Sequence, residues 1–172
     1  MTRTDREQLI NDIHREQRFW RDLVAEVGRD RMDEPGPMGE WTFKDLTSHL
    51  AAWRGRTLAR LEALAEGRAE PPTPWPAALK DDDTINAWIR ERDRRRSLDD
   101  VLAEYDRSFD RLAAVMRALP DEALLTPGYL PAMGEGRLLD APLFGHLRDV
   151  HEPGIREWLS TRTSRPDATR AR

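Results

Sequence analysis

Residues 39–53 read GEWTFKDLTSHLAAW, and this stretch marks the start of the helix on which the predicted fold is centred. Thr42 is a favourable N-cap residue, and Asp45 falls at the third helical position, where a carboxylate stabilises a helix N-terminus. Apolar residues recur at helical spacing from Leu46 onward and define one buried face. The pattern therefore predicts a helix over residues 42–65.

The same periodicity predicts three more long helices and one short helix between the second and third long ones. The long helices are expected at residues 5–27, 97–119 and 140–158, and the short helix at 84–94. Proline and glycine interrupt the chain between them, most clearly at 67–83 and at 120–138. A short hairpin or an active-site flap is expected within the second of these segments.

These elements predict an all-α four-helix bundle with crossover loops and one extra short helix. The bundle domain is expected to span residues 1–159. Residues 160–172 have almost no apolar content and are expected to form a disordered tail.

The composition narrows the classes of function. The chain has 28 basic and 32 acidic residues and a net charge of −4, which provides no basic surface for nucleic acid. It has no cysteine, so disulfides, thiolate metal ligands and cysteine nucleophiles are excluded. No signal peptide and no apolar run of about 20 residues is visible, so a cytoplasmic protein without a membrane partner is expected.

Four histidines, His14, His49, His146 and His151, are the candidate groups for chemistry. His49 lies on the apolar face of the second long helix, and His151 follows Leu147 by four residues in the last one, so both are expected to point inward. Two inward imidazoles from different helices suit a metal site or acid–base catalysis. The alternative for each is a buried histidine with a structural role, and His14 is expected at the core boundary.

His146 and His151 should not share a face, because residues five apart on an ideal α-helix lie about 140° apart. Pro153 can distort this regular helix, because it cannot donate a hydrogen bond to the carbonyl of Asp149 and crowds that carbonyl. We therefore predict a distortion of the helix between Asp149 and Pro153. One form of it, a π-bulge, often occurs at functional sites and would bring His146 closer to the face of His151. Regular α-helical hydrogen bonding over residues 146–152 would contradict this hypothesis.

Two tryptophans are candidates for the wall of a ligand pocket. Trp53 lies at a core-facing position one turn after His49. Trp88 lies in the short helix and is expected either to form a pocket lid with Trp75 or to pack as a satellite of the core. Trp41 precedes the N-cap and is expected to act as a hydrophobic staple.

The stretch 39–53 resembles the helix-two signature of the DinB-like superfamily. In that signature a tryptophan, an N-cap, a lysine–aspartate pair, a histidine and a second tryptophan occur in this order, as they do here. Residues 86–112 and 144–159 are similar to the corresponding parts of its ClbS/DfsB-type branch, so the resemblance extends to about Leu159. It implies a DinB/YfiT-like four-helix bundle that is often a homodimer.

The resemblance also implies a metal site. Many superfamily members bind zinc or nickel through one histidine on helix two and two ligands on helix four, and some use low-molecular-weight thiols such as mycothiol or bacillithiol. His49 and His151 match two of these ligands. The third ligand, usually four residues before or after, falls on Leu147 or Ile155, neither of which can bind a metal, so His146 is its expected substitute.

Three classes of function follow from these expectations. The first is a metal-dependent hydrolase or a thiol-dependent transferase that acts on a small electrophile in detoxification or stress, with His49 and His151 as catalytic residues. The second is a metal-free hydrolase in which one of these histidines is the general base. The third is a non-catalytic bundle that binds an apolar ligand or dimerises.

Overall fold

Six α-helices account for most of the residues that the computed structural model describes, which are 3–130, 134–141 and 143–163. The helices are α1 (Arg3–Val27), α2 (Phe43–Ala65), α3 (Asp82–Asp93), α4 (Leu98–Ala118), α5 (Asp121–Leu125) and α6 (Glu152–Thr163). A π-helical turn, His146–His151, leads directly into α6. The predicted all-α helical bundle is confirmed. Within the described part of the chain, no helix is both long enough and apolar enough to cross a membrane.

Side-chain caps fix the starts of the two central helices. The Thr42 hydroxyl accepts a hydrogen bond from the backbone N–H of Asp45, and the Asp45 carboxylate accepts one from the backbone N–H of Thr42. Ser97 caps α4 by accepting from the backbone N–H of Asp100 at 3.1 Å. Each cap contributes about 1 kcal/mol to the stability of its helix. The predicted N-cap Thr42 is therefore confirmed, and Ser97, the first residue of the helix predicted over 97–119, is the N-cap of α4.

One apolar core joins α1, α2, α4 and α6. The Trp20 ring of α1 stacks on Phe43 of α2 at 5.5 Å and meets the edge of Tyr105 of α4 at 4.7 Å, measured between ring centres. Ile155 and Trp158 bring α6 into the same core. Burial of each large apolar side chain stabilises the fold by roughly 1.5–3 kcal/mol, so these contacts hold the four helices together.

A second apolar cluster lies between α2, α3 and the loop that precedes α3. Ala52 of α2, Trp75 of the loop, and Ile85 and Ile89 of α3 are its buried members, and Trp88 packs against it. This cluster fixes α3 beside α2, which matters because α3 contributes a residue to the candidate site described below.

A two-stranded antiparallel hairpin precedes α2, where only an irregular connector was predicted. Its strands are β1 (Pro35–Gly36) and β2 (Gly39–Thr42). Gly36 has a φ of 142°, and a Cβ there would lie 2.1 Å from Cδ1 of Trp158. Only glycine therefore lets the hairpin pack against α6 without displacing that indole.

The predicted start of the last long helix at Asp140 is wrong. Residues Leu138–Asp140 form a 3-10 turn, and the helical backbone resumes near His146. Leu138 is buried in the core, and the chain turns there before the last helix starts. Pro142, predicted in the first turn of that helix, lies outside the described residues.

Two further boundaries differ from the predictions. Helix α5 lies within the segment 120–138 that was predicted to be irregular, and residues 131–133 of that segment are outside the described part. Helix α6 continues to Thr163, four residues into the predicted tail, and residues 164–172 of that tail also lie outside the described part.

Candidate metal centre

Three histidine side chains from two helical segments meet at one point. The Nε2 atom of His146 lies 2.9 Å from Nε2 of His49 and 3.1 Å from Nε2 of His151. One ring nitrogen from each histidine lies within 4.8 Å of the other two. His49 and His151 are buried, whereas His146 is exposed. The structure thus brings together the three histidines that were predicted as metal ligands. His14 lies apart from them, half-buried on α1.

His146 reaches this cluster because the backbone from His146 to His151 is π-helical. The backbone N–H of Glu152 donates to the carbonyl of Leu147, five residues earlier, whereas an α-helix uses the carbonyl four residues earlier. Pro153 follows in the first turn of α6, where its missing N–H costs little. The wider turn places the two imidazoles side by side, with ring centres 4.6 Å apart. The predicted distortion is thus confirmed as a π turn, but it spans His146–His151 and begins three residues before Asp149.

The two positions four residues from His151 are part of the apolar core. Leu147 is 4% exposed and Ile155 is 0% exposed, and both pack with core side chains. In a regular α-helix these residues, and not His146, would share the face of His151. The π turn therefore changes which side chain stands beside His151.

Asn86 of α3 orients the imidazole of His49. Its Oδ1 atom accepts a hydrogen bond of 2.9 Å from Nδ1 of His49 and another of 2.9 Å from Nε1 of Trp53. Because an indole nitrogen only donates, the Asn86 atom that faces it must be the oxygen. Nδ1 of His49 then carries the hydrogen, and its Nε2 lone pair is directed toward His146. No sequence pattern indicated this role, because the contact joins two helices.

The site favours neutral imidazoles. Burial and the neighbouring His146 lower the pKa of His49 from 6.5 to about 4, against the opposing effects of Asn86 and Asp82. Burial, together with His146 and His49, likewise lowers the pKa of His151 to about 4. Although His146 as a whole residue is exposed, its ring is partly buried within the cluster, and this partial burial also lowers its pKa. A neutral imidazole has a free lone pair, which is the form that ligates a metal.

This donor set fits a divalent transition metal. Imidazole nitrogen suits zinc, nickel and copper, and three protein ligands leave a coordination position open, as in catalytic zinc sites. Zinc–nitrogen bonds of about 2.0–2.1 Å in a tetrahedral site hold two ligand nitrogens roughly 3.3–3.4 Å apart. The observed Nε2–Nε2 distances of 2.9 and 3.1 Å are within a few tenths of an ångström of that spacing.

A cavity of about 630 Å³ opens beside the cluster. His49, His146 and Trp53 are on its wall, which is otherwise mostly apolar. Trp88, the other predicted pocket residue, is not among the described side chains that line this cavity. It packs against the second apolar cluster with Trp75, which is the core-satellite alternative.

Arg54 also lines the cavity and was not singled out from the sequence. It stands four residues after Leu50 and four before Leu58, and both leucines are buried. The centre of its guanidinium lies 4.1 Å from the ring centre of Phe109 and 4.4 Å from that of Tyr105. A charged residue within an otherwise apolar helical row was the signal that could have identified it.

The comparisons with known proteins agree with this geometry. Residues 13–151 match the family model of the mycothiol maleylpyruvate isomerase N-terminal domain, a match that includes all three clustered histidines and Asn86. Searches of curated proteins and of solved structures each gave no match. The matched family is part of the DinB-like superfamily predicted from residues 39–53, although nothing found here confirms the ClbS/DfsB-type branch. Because the match covers well over half of its length, the chain belongs to the family of mycothiol maleylpyruvate isomerase N-terminal domains, within the DinB-like superfamily.

Proposed function

We propose that this chain is a metal-dependent enzyme that activates a low-molecular-weight thiol, such as mycothiol, for reaction with a small electrophile. The observation that carries the proposal is the convergence of three imidazole Nε2 atoms beside a cavity. The family name, which refers to a mycothiol-dependent isomerase, supports a thiol as the cosubstrate.

His49, His146 and His151 would hold the metal. A divalent ion held by them would supply Lewis-acid chemistry, which would lower the pKa of a thiol or water and give a nucleophile at neutral pH. Asn86 keeps the hydrogen of His49 on Nδ1 and thereby keeps Nε2 available as a ligand. His146, the exposed member, gives reactants a path to the cluster from solvent.

The cavity wall suits a small, partly apolar substrate. Trp53 is held in place by its hydrogen bond to Asn86 and by contact with Trp75 at 4.8 Å between ring centres. An apolar wall with a few fixed polar groups is the usual form of a small-molecule site. It also limits the water that competes with a thiol for the electrophile.

Metal analysis tests the first part of the proposal. The protein is purified without a histidine tag and without chelators, and its zinc and nickel are measured per chain. About one metal per chain is expected, with loss of that metal in His49→Ala and retention in His14→Ala. Natively folded protein that binds no divalent metal after incubation with either ion would exclude this function.

A thiol titration tests the second part. Cobalt-loaded protein is titrated with mycothiol, and a sulfur-to-cobalt charge-transfer band in the near ultraviolet is expected. Hydrolysis of electrophiles without any thiol would instead favour the metal-dependent hydrolase. Activity that survives metal removal but is lost in His49→Ala would favour the metal-free hydrolase.

The remaining expectations stay predictions of this proposal. These are the small-molecule substrate, the lack of nucleic-acid and membrane partners, the cytoplasmic location and a role in detoxification or stress. Sedimentation measurements at several protein concentrations test the expected homodimer.

A further inference from the structure

One carboxylate shares the cavity wall with the histidines. Asp82, the first residue of α3, is the only acidic residue among the described side chains that line this cavity. It is exposed, and within the described part of the chain no hydrogen bond or ion pair engages its side chain. The cations of the wall are Arg54 and Arg60, and the second is paired, because its Nε lies 2.8 Å from a carboxylate oxygen of Glu70. The wall therefore carries one negative charge that is not used by another contact.

The geometry of α3 directs Asp82 to this wall. Asp82 and Asn86 are four residues apart on the same helix and therefore share one of its faces. Asn86 holds Nδ1 of His49 at 2.9 Å, so Asp82 stands one helical turn before the residue that orients this ligand. Burial is the largest influence on the pKa of His49 and of His146 and lowers both, whereas the Asp82 carboxylate acts in the opposite direction on each. The field of this carboxylate thus reaches two of the three candidate ligands.

The two acidic neighbours of Asp82 have other positions. Asp81 is the N-cap of α3, and its Oδ1 accepts a hydrogen bond of 2.9 Å from the backbone N–H of Thr84. Asp83 lies in the same first turn but lines a second cavity, together with Arg90. Both Asp82 and Asp83 can stabilise the N-terminus of the helix by their charge. A place on the wall beside the histidines distinguishes Asp82 from Asp83.

The histidine cluster itself offers no negative charge to a cation. The fold favours neutral imidazoles, and two positive charges in a partly buried site cost free energy unless a negative charge lies near them. Arg54, on the same wall, adds to this cost. Asp82 is not one of the groups whose ligand atoms lie within 4.8 Å of one another. It can therefore offset the charge of an ion through space, but it does not complete the set of ligands.

We propose that Asp82 is the charge-compensating residue of the histidine site, which attracts a divalent cation and stabilises it there without ligating it. The inference rests on the proposed function, because it concerns the same site. It assigns Asp82 a positioning role that acts on the ion through its electric field.

Zinc affinity at two salt concentrations tests this role. The untagged full chain competes for zinc with a chromophoric chelator in about 0.05 M and in about 1 M sodium chloride, which change the screening length severalfold. Asp82→Asn is expected to weaken zinc binding by about threefold to tenfold at the lower salt concentration, because a unit charge near a dication is lost. The loss should shrink to less than about twofold at the higher concentration, since an exposed carboxylate is screened by salt.

Asp83→Asn is the matched control, because it removes the same charge from the same helical turn. It should change zinc affinity by less than about twofold at either salt concentration. Asp82→Glu keeps the charge and should bind zinc within about twofold of the wild-type chain. Circular dichroism verifies that each variant is folded, and Asp82→Ser replaces Asp82→Asn if the asparagine variant fails to fold.

Three results would overturn the inference: an equal loss in Asp82→Asn and Asp83→Asn, a loss in Asp82→Asn that salt does not reduce, or a loss in Asp82→Glu as large as that in Asp82→Asn. If the wild-type chain binds zinc and all variants bind it equally, the inference fails and the metal-dependent function stands. If the folded wild-type chain binds neither zinc nor nickel, the metal-dependent function fails and the inference fails with it.

Discussion

The Oδ1 atom of Asn86 lies 2.9 Å from Nδ1 of His49, and this contact joins residues 37 positions apart in the chain. It means that helix α3, which contributes no candidate ligand of its own, sets the orientation of the histidine on α2. Hydrogen bonds of this kind to metal-ligating histidines fix the ring and its tautomer.

Replacement of Asn86 is therefore expected to weaken metal binding. Asn86→Ala should lower the affinity for zinc by roughly 10–100-fold, because His49 loses the acceptor that holds Nδ1–H. Asn86→Asp keeps an acceptor and should retain most of the affinity. Competition with a chromophoric chelator measures both values, and Asn11→Ala, at an exposed position of α1, is the control. Unchanged zinc affinity in Asn86→Ala would contradict the role given to this contact.

The π turn is expected to depend on Pro153. Pro153→Ala restores a backbone N–H that can donate to the carbonyl of Asp149, which allows an ordinary α-helical turn. His146 would then rotate away from His151, and zinc affinity should fall by at least about tenfold. Pro120→Ala, at the exposed N-cap of α5, should leave metal binding unchanged.

The zinc affinity of His146→Ala tests, independently of Pro153, whether His146 is a metal ligand. If both His146→Ala and Pro153→Ala bind zinc as tightly as the wild-type chain, His146 is not a ligand and the π turn has no part in the metal site.

Acid is expected to destabilise the metal-free protein over a defined pH range. The folded pKa values of His49 and His151, about 4, lie below the ordinary value of 6.5, so the unfolded chain binds more protons between these values. Stability should be highest above pH 6.5 and fall as the pH drops toward 4, by up to about 1.4 kcal/mol per pH unit for each histidine.

Urea denaturation at several pH values measures this effect. His49→Gln should reduce the pH dependence of the unfolding free energy, whereas His14→Gln, outside the cluster, should retain the wild-type dependence. An identical pH dependence in His49→Gln and the wild-type chain would show that His49 is not held neutral by the fold.

Two glycines are expected to respond to alanine in opposite directions. Gly36→Ala forces a Cβ to within 2.1 Å of the Trp158 ring at a φ of 142°, so the hairpin must move away from α6 and the free energy of unfolding should fall by about 1–3 kcal/mol. Gly55→Ala lies inside α2, where the new Cβ would have no atom within 4 Å apart from its chain neighbours and the backbone of its own helix, and it should raise the free energy of unfolding by roughly 0.5–1 kcal/mol. Thermal denaturation of both variants checks this contrast.

Local sequence was sufficient for the starts of α2 and α4 and for part of the site. The capping residues Thr42 and Ser97 act through backbone groups three residues away, so the starts of α2 and α4 could be read directly from the chain. His49 was recognisable from its place in an apolar helical face. Pro153 indicated the π turn, because its missing N–H disturbs a hydrogen bond within the same helical segment.

The features that escaped prediction depend on contacts between distant segments. The hairpin at 35–42 packs against Trp158. The last helical segment begins with the π turn at His146 instead of at Asp140, beyond the turn in which Leu138 is buried. No periodicity or cap signal records such packing, because it depends on which surfaces meet after the helices assemble.

The sequence by itself determined an all-helical chain, the starts of α2 and α4 and the histidines available for a site, since these follow from backbone hydrogen bonding and side-chain spacing within one segment. Only the tertiary structure decided that Asn86 would hold His49 and that Arg54 would face the same cavity. Both depend on how α2 packs against α3 and α4, and packing is a property of the assembled bundle that no single helix contains.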